Sequence, residues 1–102
     1  IILQKRFKPL ISKIKFISKN NVIEYFLPGE HRIDKIDKME YLSYILMSKV
    51  KALTLRDVKY ELTRKDFDQP LALISNEFLN NQATLIFEKG IIAAIQSRDY
   101  KA

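Results

Sequence analysis

Six cationic side chains, Lys5, Arg6, Lys8, Lys13, Lys15 and Lys19, stand in the first twenty residues with no acidic residue among them. The chemistry open to such a run is electrostatic. A local positive field concentrates polyanions, so nucleic acid, an anionic membrane surface or an acidic protein are the partners it favours. Residues 21–102 carry twelve Lys and Arg against twelve Asp and Glu, so the net charge of +6 belongs to that first segment alone. Further along, Arg56, Lys59, Arg64 and Lys65 offer phosphate contacts. Asp57, Glu61, Asp66 and Asp68 interleave with them, and a solvated, ion-paired face satisfies the same pattern. Ser75, Asn76, Asn80 and Asn81 carry groups able to read base edges, and Lys89 adds a cation beside a glycine.

Catalytic chemistry has less support. His31, the only histidine, lies among Glu30, Asp34, Asp37 and Glu40, a set whose donor types suit a divalent metal but whose spacing matches no recognised ligand pattern. Acidic residues at the start of a helix complement its dipole, which explains them without a metal. Gly29 and Gly90 are far apart, so no glycine-rich phosphate loop exists, and without cysteine there is no thiol nucleophile. Neither a cofactor nor a metal is expected, and the chain reads as a non-enzyme. A small nuclease built from Lys, Arg, Tyr and carboxylates is the enzymatic alternative, because it leaves no local motif. Tyr41 and Tyr44, near Tyr25 and Phe26, would stack on bases if exposed and otherwise pack in the core or an interface.

Positioning these groups falls to a chain of 102 residues, 47% of them hydrophobic, which suits one compact domain. The absence of cysteine fits a reducing compartment, and a cytoplasmic location is expected. Apolar runs such as residues 91–95 fall far short of the ~20 residues of a membrane-spanning helix. No signal-peptide pattern follows Ile1, Ile2 and Leu3, and a start at Ile1 leaves room for a longer protein. Leu27-Pro28-Gly29-Glu30 is the best joint, dividing a basic segment, 1–28, packed on the core from a domain over 29–102.

The first segment has two readings. As a helix, Leu3, Phe7, Leu10, Ile14 and Ile17 share one face, although Pro9 would kink it or open it. As a hairpin, residues 14–16 and 22–26 are strand-like around a Lys19-Asn20-Asn21 turn. Beyond the joint, Met39, Leu42, Ile45, Leu46, Val50 and Leu53 predict a helix over 37–52, capped by Asp37. Thr54 and Asp57 approximate a capping box for a second helix over 55–65, with Leu55, Val58 and Leu62 on one face. Pro70 opens a third, over 70–81, with Leu71, Ile74 and Phe78 as its stripe. Residues 83–88 and 91–96 then form a hairpin around Lys89-Gly90, with Gly90 at positive φ.

Three helices and a hairpin over residues 37–96 give an α+β architecture that resembles the winged helix-turn-helix superfamily, with the order of elements seen in response-regulator and ToxR-type members. The resemblance implies duplex-DNA binding in transcription regulation or genome maintenance, with helix 70–81 in the major groove and Lys89-Gly90 at the wing tip. Helix 70–81 carries no Lys or Arg, however, and both hairpin faces are apolar: Leu85, Phe87, Ile92 and Ala94 on one, Ile86, Ile91, Ala93 and Ile95 on the other. That favours the alternative, a protein-interaction domain such as an assembly subunit, inhibitor or secretion-system component, with Leu85, Phe87, Ile91, Ile92 and Ile95 at its interface. A homodimer or complex is the expected state.

Overall fold

A computed structural model describes residues 15–98, and nine strands run through them with no helix. They are β1 (Lys15–Ile17), β2 (Asn21–Phe26), β3 (Gly29–Asp34), β4 (Tyr41–Leu46), β5 (Val50–Arg56), β6 (Leu62–Phe67), β7 (Leu71–Glu77), β8 (Gln82–Phe87) and β9 (Ile92–Ser97). One sheet has the order β1-β2-β9-β4-β7 and the other β3-β8-β5-β6, every pairing antiparallel. The pairs are nested: β5 with β6, β4 with β7, β3 with β8 and β2 with β9. A long hairpin folded over on itself in this way makes a two-layer sandwich with jelly-roll pairing.

Alternation builds the core. Leu42, Tyr44 and Leu46 of β4 face inward, as do Ala83, Leu85 and Phe87 of β8, and they meet Ile33, Val50, Leu53, Leu55 and Ile92 in one buried cluster. Period-2 burial on strands from both sheets is what two inner faces require. The α+β winged-helix expectation is therefore corrected to an all-β sandwich, and each of the three expected helices is strand and turn.

The helical spacing has a definite origin. Leu42, Leu46, Val50 and Leu53 belong to two strands joined by a sharp turn, and a bulge in β5 shifts the parity between Val50 and Leu53. Ala52, at the bulge, takes a left-handed φ of 55° and stays buried. In β7 an extra residue intervenes between Leu73 and Asn76, opposite Tyr44 and Leu42, so its inward positions also fall three apart. Bulges insert one residue into a two-residue period and imitate a helix.

Strands do run over 82–87 and 92–97, but they lie in different sheets, β8 beside β3 and β5 and β9 between β2 and β4. The expected hairpin is thus a crossover, and Gly90, at φ 113°, turns the chain from one sheet to the other. Of the two readings of the first segment, β1 and β2 follow the hairpin, with Ser18 hydrogen-bonded across the turn to Asn21. Phe26 of β2 enters the core cluster, while Pro28 stands in the two-residue link to β3. Residues 1–14 lie outside the described residues, as do Lys5, Arg6, Lys8 and Lys13. Among the described residues no helix is long and apolar enough to cross a membrane.

Candidate functional site

Edge strands β6 and β7 belong to different sheets and do not pair, so the sandwich parts between them. There a cleft of about 360 Å³ opens, lined by Leu55, Leu62, Ala72, Leu73, Tyr60 and Asn76. Four of its six lining residues are aliphatic, and the two polar groups sit together. An apolar recess with a few convergent polar atoms is the usual form of a small-molecule site.

The β5–β6 turn, residues 57–61, forms one rim. Asp57 adopts a left-handed φ of 63°, and its N–H donates to the Glu61 carboxylate at 2.8 Å across the base of the turn. Val58 is fully buried and bridges to Phe78, which draws the turn against the chain leaving β7. Flanking this bridge, the Lys59 N–H donates to the Glu77 carbonyl at 3.0 Å and the Leu79 N–H to the Asp57 carbonyl at 3.2 Å. Tyr60 comes next, 58% exposed although it is a large aromatic residue.

Asn76 lies beneath Tyr60, only 4% exposed. Its Oδ1 accepts from the N–H of Tyr60 at 2.9 Å and of Glu77 at 3.0 Å, and its Nδ2 donates to the Tyr60 carbonyl at 3.0 Å. At the mouth, Lys59 Nζ donates to Glu77 Oε2 at 3.3 Å and stands 5.4 Å from the centre of the Tyr60 ring. Its hydrogen bond to the Glu77 carboxylate holds the ammonium above its ordinary value of 10.5, so it is charged at neutral pH. The cleft therefore presents apolar walls and one aromatic residue, Tyr60, with the Lys59–Glu77 ion pair next to that ring, an arrangement suited to a flat ligand.

The residues singled out for nucleic acid scatter over the sandwich. Lys15 lies on the edge strand β1 and Lys19 in the β1–β2 turn, both exposed. Arg56 is spent within the protein, donating to the Leu55 and Leu62 carbonyls at 3.1 and 2.8 Å and to Thr63 Oγ1 at 2.8 Å. Asn80 reaches Asp57 Oδ1 at 3.5 Å, and Lys89 is at the opposite end of the sandwich, bonded through its carbonyl to Lys51. Among those described, Asn76 alone lines the cleft, and Lys59 stands next to the ring of its Tyr60. The five proposed interface residues divide: Leu85, Phe87 and Ile92 are buried in the chain's own core, whereas Ile91 and Ile95 are half-buried. His31 packs 4.9 Å from the Phe26 ring, and its Nε2 bonds the Leu27 carbonyl at 2.6 Å. It serves the β2–β3 link, away from the cleft.

Tyr60, Leu62 and Leu73 had no functional reading in the sequence. The available signal was the polar group Ser75-Asn76-Glu77, which interrupts the apolar positions between Leu71 and Phe78. Such an interruption on a strand marks a place where a local rule yields to another demand.

Residues 30–92 match the family described as "Thiamin pyrophosphokinase, vitamin B1 binding domain". The thiamine pyrophosphokinase of Bacillus subtilis (strain 168) is 39% identical over 89 residues, covering 85% of this chain and 42% of that protein. A thiamin pyrophosphokinase family protein from Enterococcus faecalis superposes with a TM-score of 0.88 at 38% identity, over 94% of this chain and 45% of its own. A protein from Lactobacillus plantarum does so at 0.87 and 37%, over 95% and 48%. The chain thus spans less than half the length of these relatives. These likenesses overturn the winged-helix resemblance, and with it duplex DNA as partner and the interaction-domain alternative. They also overturn the expectation of a non-enzyme, because the relatives carry the name of a kinase. Since the match takes in more than half of the sequence and every residue lining the cleft, the chain belongs to the thiamin pyrophosphokinase, vitamin B1 binding domain family.

Proposed function

We propose that this chain supplies thiamine recognition in a thiamine pyrophosphokinase, an enzyme that makes thiamine diphosphate, and that thiamine enters the cleft between β6 and β7. The observation that carries the proposal is that the residues matched to the family, 30–92, contain the whole lining of that cleft. Thiamine is a planar aminopyrimidine linked to a cationic thiazolium. Its flat rings suit the Leu55, Leu62 and Leu73 walls, and its positive charge suits the face of Tyr60 and the Glu77 carboxylate. The part assigned to these residues is binding and orientation: they hold the vitamin so that its hydroxyl stays free to accept the diphosphoryl group, with ATP as the donor. A cytoplasmic setting goes with this reading and with a sequence lacking cysteine.

Calorimetric titration of the complete protein with thiamine tests it. Thiamine is expected to bind, and Tyr60→Ala to weaken binding about tenfold, roughly 1.4 kcal/mol, by removing the aromatic face. An unchanged affinity in that variant would remove the cleft from the proposal, and a wild-type protein that ignores thiamine would remove the function.

A further inference from the structure

We infer that Asn76 is a positioning residue for Tyr60: its buried amide fixes the backbone of the β5–β6 turn so that the tyrosine ring stands ready at the cleft. This rests on the thiamine reading above and adds a role for a residue that acts through another.

The argument starts from the register of β7. Leu42 and Tyr44 of β4 both face the core, and their partners on β7 are Asn76 and Leu73. Without the extra residue between those partners, the alternation would carry position 76 to the outer face of the sheet. The bulge turns it inward, onto a face that Leu71, Leu73 and Phe78 otherwise fill with apolar side chains. A polar amide there is costly unless its groups are satisfied. Three of its four hydrogen-bonding positions are, and two of those three bonds go to the N–H and the carbonyl of Tyr60, sixteen residues away.

These bonds replace what a regular ladder would provide. Edge strand β6 is not paired to β7, so no sheet holds Tyr60. Nor does burial hold the exposed ring. The Lys59 ammonium stands over the ring, 5.4 Å from its centre, and the backbone from which the ring springs is clamped from both sides by one side chain, Asn76. Rigidity of this kind removes ordering entropy from the binding step. Val58 and Lys59 anchor the preceding half of the turn through Phe78 and Glu77, so removal of the amide would free Tyr60 locally without opening the whole turn.

A double-mutant cycle on the complete protein, read by thiamine affinity, tests the inference. Asn76→Ala is expected to weaken thiamine about as much as Tyr60→Ala, and to add less than twofold in the Tyr60→Ala background. Asn76→Asp, which keeps the acceptors and loses the Nδ2 donor, should fall between wild type and alanine and guards against a fold defect. Amide hydrogen exchange should quicken at Tyr60 in both Asn76 variants and stay unchanged in the β8 and β9 strands. Equal, additive losses in both backgrounds would show that the remaining amide N–H touches the ligand directly, and would overturn the inference. An affinity unchanged by Asn76→Ala would overturn it as well. Absence of thiamine binding in the wild type would take the inference down with the functional reading, a result distinct from either of those.

Discussion

The two ends of the sandwich are built on different principles. At the end formed by the 47–49 and 88–91 links, main chain lies directly on main chain. Lys51 donates to the Lys89 carbonyl at 3.1 Å, Glu88 to the Lys51 carbonyl at 2.9 Å and Met47 to the Ile91 carbonyl at 2.9 Å. The Ile91 N–H donates to Ser48 Oγ at 3.1 Å. At the end formed by residues 35–40, 57–61 and 78–81, two buried amides do much of the tying. Asn76 holds the 57–61 turn, and Gln96, 4% exposed, accepts from the Ile36 N–H and donates to the Asp34 carbonyl, each at 2.9 Å. Backbone bonds join the links at this end too, Lys59 to Glu77, Leu79 to Asp57, Phe78 to Glu40 and Lys35 to Asn81, but here two buried amides are added to them as straps, and the cleft lies beside one of these, Asn76.

Gly90→Ala should break this contrast most severely. A Cβ on Gly90 would be driven into the Lys49 carbonyl oxygen and would crowd Ser48 and Val50 at 3.0 Å, at a φ of 113° that favours glycine. We expect a loss of about 3 kcal/mol or more in urea denaturation. A loss under 1 kcal/mol would mean that the closed end has slack.

Gln96→Ala sharpens the comparison within the strapped end. It leaves the Ile36 N–H and the Asp34 carbonyl without their partner, and about 2 kcal/mol of stability should go. Thiamine affinity should hold within about twofold, since Gln96 lines no part of the cleft. A large affinity loss would show that the two straps act as one.

Tyr44→Phe should have the smallest effect. Tyr44 is fully buried on β4, and its hydroxyl has no hydrogen-bond partner among the described residues. Deleting an unsatisfied hydroxyl should change stability by less than about 1 kcal/mol, in the stabilising direction. Burial also pushes the phenol well above its ordinary value of 10.0. Above pH 10 the unfolded chain therefore releases this proton while the folded one keeps it, so stability falls as the pH rises further. Denaturation midpoints compared across that range should fall less steeply for the phenylalanine variant.

Much of the inside of the molecule was legible in the sequence. Leu42, Leu46, Val50 and Leu53 stand out as one apolar set, Gly90 as a positive-φ turn and residues 22–26 as strand-like, whereas Leu85, Phe87 and Ile92, read as an interface, lie in the chain's own core. The helices were not legible as strands, because bulges at Ala52 and between Leu73 and Asn76 spoil the two-residue period that identifies a strand. The site was least legible. The nucleic-acid candidates included Asn76 of the cleft lining and the neighbouring Lys59, under a DNA reading that the family match overturns, and Tyr60 had no signal of its own.

Composition and local pattern thus determined which residues avoid water and where the chain turns, since both depend on side-chain type and near neighbours. Tertiary structure decided which strands pair, that the segment around Lys89-Gly90 crosses between sheets, and that Asn76 meets Tyr60. Strand pairing is a contact between residues distant in sequence, and a cleft between two unpaired edges comes into being only when both sheets have closed over one core.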